Sequence, residues 1–109
     1  MTDGNGNEAR LDEVKLISSL QERIARKLSD LRYTDDESAG DIIHHLAEVA
    51  VLGNNLFKDS IPKFLALPIE RTSDLAEIIF SIKWDLEEMK EAIADMDPHL
   101  LKLGNFLDP

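Results

Sequence analysis

Apolar residues recur along this chain at helical intervals, and the longest run is the most regular. Leu75, Ile79, Ile82, Leu86, Met89, Ile93 and Met96 follow one another with alternating gaps of four and three. This is an unbroken heptad seam. Ile79, Leu86 and Ile93 hold one apolar position, and Leu75, Ile82, Met89 and Met96 hold the other. The spacing predicts a helix over about 70–96, with Ser73 as its cap and Asp97-Pro98 as its stop. At ~1.5 Å per residue its regular part would be roughly 35 Å long. Such a helix must bury its seam against the rest of the chain or against another copy.

The remaining pattern is also helical. Leu11, Val14, Ile17, Leu20, Ile24, Leu28 and Leu31 predict a first helix over about 9–32. Ile42, Ile43, Leu46, Val49, Ala50, Leu56 and Phe57 predict a second over about 37–57. Thr34 and Glu37 fit a capping box at its start, with Asp35 or Ser38 as alternative caps. Gly53 on its apolar face is expected to let another helix approach closely. Ser60 and Pro62 open a short helix over about 61–67 that Pro68 closes. Pro98 opens another over about 98–106, with Leu100, Leu101, Leu103, Phe106 and Leu107 on its apolar side. Residues 1–7 (MTDGNGN) read as a disordered tail. No period-two alternation suggests a strand. The expected fold is an all-α helical bundle of three main and two short helices, forming a single domain over residues 8–109.

Around the long helix, Phe80 and Trp84 point away from the seam and, with Ala76, make a second apolar strip. Glu87, Glu88, Glu91 and Asp95 back the C-terminal half. The strip is covered either by Phe57, Phe64 and the last short helix or by a partner, since Trp and Phe dominate interface hot spots. Leu75, Ile79, Phe80, Ile82, Trp84 and Leu86 are the interface candidates. The seam itself packs on the first helix or on a symmetry mate. Arg23, Arg26 and Lys27 complement Glu87, Glu88 and Glu91, which suggests that the two runs flank one antiparallel contact. Long heptad helices in so short a chain favour a homodimer.

Charge narrows the partners. Twelve Lys and Arg against twenty-two Asp and Glu give a formal net charge of −10. That argues against non-specific nucleic-acid binding and against an anionic membrane surface, and leaves a partner with a basic or apolar surface. With no cysteine, disulfides, thiolate metal sites and thiol nucleophiles are excluded. No secretory h-region and no run of about 18 apolar residues is present, so a cytoplasmic location is expected.

One polar constellation carries chemistry. Asp41, His44, His45 and Glu48 fall within about 100° of helical arc, away from the apolar face. They could hold a first-row divalent metal if a facing helix supplied Glu77, Asp85 or Glu88. Two local resemblances fall on this helix. His44-His45-Leu46-Ala47-Glu48 is similar to the His-x-Leu-Lys-Gly of histidine phosphotransfer domains at the His and the Leu, but has Ala47 and Glu48 in place of Lys and Gly. Glu37-Ser38-Ala39-Gly40-Asp41 resembles the Glu-Glu-x-Gly-Asp of all-α nucleoside triphosphate pyrophosphatases, with Ser38 in place of the second acid. Each covers a few residues, and neither family is assigned. No nucleophile has a partner pattern, and no cofactor motif is present. The leading expectation is therefore a small acidic protein that acts by protein–protein binding, in an adaptor or regulatory role, without catalysis. The alternative is a metal-dependent hydrolase of the nucleotide pyrophosphatase kind, or a phosphotransfer module, centred on the second helix.

Overall fold

The computed structural model describes the backbone of residues 2–109 and the side chains of residues 13–109. Of the tail expected at residues 1–7, residues 2–7 are described in their backbone alone, where α1 begins at Thr2. The elements are α1 (Thr2–Asp30), α2 (Asp36–Asn55), α3 (Ile61–Ala66) and α4 (Thr72–Leu107). Among the described residues there is no strand, and the fold is an all-α bundle dominated by three helices.

Local chemistry explains the ends. Tyr33 N–H donates to the Leu28 carbonyl and Arg32 N–H to that of Ser29, which closes α1 in a Schellman turn. Arg32 takes the left-handed conformation, φ 60°, where Gly is the usual occupant. Asp35 then caps α2, its Oδ1 accepting from the Ser38 N–H at 3.1 Å, so Asp35 is the cap rather than the Thr34 box. At the start of α4, Arg71 is the cap residue with no side-chain cap bond, so Ser73 does not cap it.

Two expected breaks are absent. A π-helical turn, Leu56–Ser60, joins α2 to α3 with helical backbone throughout. Pro62 lacks an N–H and its ring crowds the carbonyl four residues back, and the wider turn just before it takes up that crowding. Ser60 makes no side-chain cap bond there. Likewise, Pro98 lies inside α4 rather than at its end, so the separate helix expected over 98–106 is the last third of α4. Its fixed φ suits a helix, and the Ala94 carbonyl it leaves without a donor belongs to an exposed residue, where water can serve it.

A 36-residue helix is about 54 Å long, which accounts for the 55 Å long axis of the molecule. The Cα radius of gyration is 17.3 Å, against about 13 Å for a compact domain of this length. α2 packs against α1 on one side and α4 on the other. Between α1 and α4 there is no close backbone approach among the described residues, so the expected packing of the long helix on the first is not what forms. The expected basic–acidic pairing across those helices is absent as well. Arg26 pairs with Glu22 within α1, and Lys83 with Glu87 within α4.

The core is correspondingly thin: Leu28, Ile42, Ala47, Val51, Leu56, Ala92 and Met96, with Ser38. Ser38 is fully buried and accepts from the Tyr33 hydroxyl at 3.0 Å, and Tyr33 meets Phe106 edge-on at 5.2 Å. Gly53 faces Met89, but a Cβ there would sit 3.8 Å from Met89 Cε, an ordinary contact. The close approach expected at Gly53 is therefore not required.

Candidate functional site

α2 and α4 run antiparallel, and a row of polar pairs marks their register. Lys102 Nζ donates to Asp35 Oδ2 at 3.0 Å, His99 Nε2 stands 2.9 Å from Asp41 Oδ2, and His45 Nε2 stands 4.0 Å from Asp95 Oδ2. Further along, His45, Glu48, Glu88, Glu91 and Asp95 line one shallow cavity. These residues define a polar face. On α2, residues such as Leu46, Ala50 and Phe57 project to the opposite side, and on α4 so do Ile79, Leu86 and Ile93.

The polar face brings together three of the four metal candidates. His44 Nε2 lies 3.9 Å, and His45 Nδ1 3.7 Å, from the same Glu48 Oε2. The two imidazoles meet edge to face with centroids 4.9 Å apart. His45 Nδ1 is buried without a hydrogen-bond partner. Asp41 does not join them, because it turns to His99. Of the facing acids expected to help, Glu88 shares the cavity; Glu77 lines a groove beside Asp59 and Lys63, and Asp85 lies toward Glu13.

Among the described residues, three titrating groups are displaced from their ordinary values. The Ser38 backbone N–H, and then Lys102, hold the Asp35 carboxyl low. Asp35 in turn raises Lys102. Burial, and then Glu13, pushes Asp85 up.

The apolar face is the larger feature. The inward side of α4 runs Leu75, Ile78, Ile82, Asp85, Met89, Ala92, Met96, His99 and Leu103, at three/four spacing. Only half of the expected seam is in it. Ile79, Leu86 and Ile93 are 45%, 50% and 48% exposed, and Leu100 and Leu107 continue their row at intervals of seven. The same side of the α2–α3 run presents Phe57, Ile61 and Leu65, with Phe57 and Leu65 three-quarters exposed. Phe80 and Trp84 are 60% and 62% exposed on the outer edge of α4. Phe57, Phe64 and the end of α4 therefore do not cover that strip. Of the interface candidates, Ile79, Phe80, Trp84 and Leu86 are on the surface, while Leu75 and Ile82 are half-buried.

Sequence reasoning missed His99, Asp95 and Lys102 as partners of α2, and Leu100 and Leu107 as members of the heptad row. The signal existed, since 96, 100, 103 and 107 continue the alternation of 75–96. It was hidden by taking Pro98 as a helix end. Comparison with protein-family models, curated proteins and solved structures finds no match to this chain.

Proposed function

We propose that this chain works as a self-associating protein-interaction module. A second copy covers the apolar face of α2–α3 and α4, giving a four-helix core in a homodimer with an adaptor or regulatory role. The observation that carries this reading is the half-exposed heptad row Ile79, Leu86, Ile93, Leu100 and Leu107 beside Phe57, Ile61 and Leu65. A row repeating every seven residues suits another helix, and an antiparallel helix pair suits a second such pair.

Area favours a second copy over a small ligand. The accessible surface is 8161 Å², about 2000 Å² more than a compact monomer of 12.3 kDa presents. An interface of standard size, about 800 Å² per chain, fits within that excess. Lys83 and Lys90 along the row, with Glu87 beside them, offer a charged rim around its apolar floor. Among the described residues no helix is long and apolar enough to cross a membrane. A cytoplasmic setting accords with the cysteine-free sequence.

Size exclusion with light scattering tests the reading. A particle of about twice 12.3 kDa is expected at micromolar concentration. A monomer persisting to high micromolar concentration would refute it.

A further inference from the structure

We infer that His44, His45 and Glu48 form a zinc-class divalent-cation site on the polar face, oriented by Asp95 of α4. One donor atom from each of the three residues lies within 4.8 Å of the other two. The 3.7 and 3.9 Å separations from Glu48 Oε2 to His45 Nδ1 and His44 Nε2 exceed hydrogen-bond range. They approach the edge of a ligand tetrahedron, about 3.3 Å when the bonds are about 2.05 Å. Small side-chain rotations would close the set around one ion.

His45 Nδ1 is buried with no hydrogen-bond partner, as is His99 Nδ1, but only the His45 nitrogen faces Glu48 beside a second imidazole. Its other nitrogen, Nε2, points to the Asp95 carboxylate at 4.0 Å. A metal on Nδ1 puts the proton on Nε2, and a small approach of the exposed Asp95 side chain from its 4.0 Å separation would let it accept from Nε2–H, the carboxylate–histidine–metal arrangement that fixes ring orientation and strengthens the ligand. Glu88 and Glu91 line the same cavity and add negative potential without a lysine or arginine among its walls. Two imidazoles and one carboxylate select zinc and its first-row neighbours over magnesium or calcium, which prefer oxygen alone. His44 is largely exposed, so the fourth position opens to water. The site lies on the face opposite the apolar row, so it stands whether or not the chain dimerises.

Calorimetric titration of the metal-free full chain with zinc sulfate tests the site, with thermal melting as a second readout. One zinc per chain and a raised melting temperature are expected. Binding should be lost in His44→Ala and Glu48→Gln. It should weaken about 10- to 100-fold in Asp95→Asn through the misoriented His45. It should be unchanged in His99→Gln, whose histidine faces Asp41 instead. His44 is exposed enough that its replacement leaves the fold intact, which circular dichroism verifies. The inference is overturned by an absence of zinc binding, by binding that survives in both His44→Ala and Glu48→Gln, or by an equal response to magnesium.

Discussion

Leu86→Ala is the sharpest probe of the proposed dimer face. Leu86 is 50% exposed, so the fold of one chain buries only half of it. Full burial of a leucine side chain is worth about 1.5–3 kcal/mol, so covering the exposed half contributes about 1 kcal/mol per chain. A two-fold dimer counts the position twice, about 2 kcal/mol in all, or about a 30-fold rise in the dimer dissociation constant. Ile79 and Ile93 are exposed to a similar degree and lie about 10 Å to either side along the helix, far enough for the effects to add. Replacing all three by Ala should therefore weaken the dimer by about 6 kcal/mol, a rise of roughly four decades in its dissociation constant. Sedimentation equilibrium over a range of loading concentrations reads both numbers. The melting temperature should also rise with concentration in the wild type and lose that dependence in the triple variant. An unchanged association constant in the triple variant would refute the assignment of this row to the interface.

Four further substitutions test local features. Arg32→Gly relieves a left-handed non-glycine residue at the end of α1 and should stabilise the chain by about 1 kcal/mol in urea unfolding. Pro98→Ala restores a donor inside α4 and should raise the melting temperature, at about 4–5 °C per kcal/mol for a chain of this size; no gain would mean that the helix ends before Pro98. Gly53→Ala places a Cβ 3.8 Å from Met89 Cε, so the gain in helix propensity, up to about 1 kcal/mol, should appear without a clash. Asp85→Asn should stabilise the chain at neutral pH. Burial raises the Asp85 carboxyl in the folded state, so the folded chain holds its proton more tightly. Wild-type stability is then fully present below the unfolded value and declines as pH rises through the folded one, and the advantage of Asn should vanish in acid.

Much of the architecture was legible in residue spacing alone. Three- and four-residue intervals of Leu, Ile, Val and Met mark α1, α2 and α4 along the chain, because helical period and amphipathicity are local properties. Prolines misled. Pro62 and Pro98 read as boundaries, yet a π turn takes up the first and an exposed carbonyl the second. The sequence also placed Asp41, His44, His45 and Glu48 on one arc of α2, since i,i+3 and i,i+4 neighbours share a helix face. It could not show that Asp41 turns to His99 while Asp95 comes to His45, because those partners lie more than 45 residues away and depend on antiparallel register.

For α4, residue spacing alone specifies an apolar face that repeats every seven residues. How that face is divided depends on packing. A single neighbour, α2–α3, covers about half a helix circumference, so Leu75, Ile82, Met89 and Met96 turn toward it while Ile79, Leu86 and Ile93 remain at the surface. A heptad seam records that a helix needs companions, but not how many of them its own chain provides.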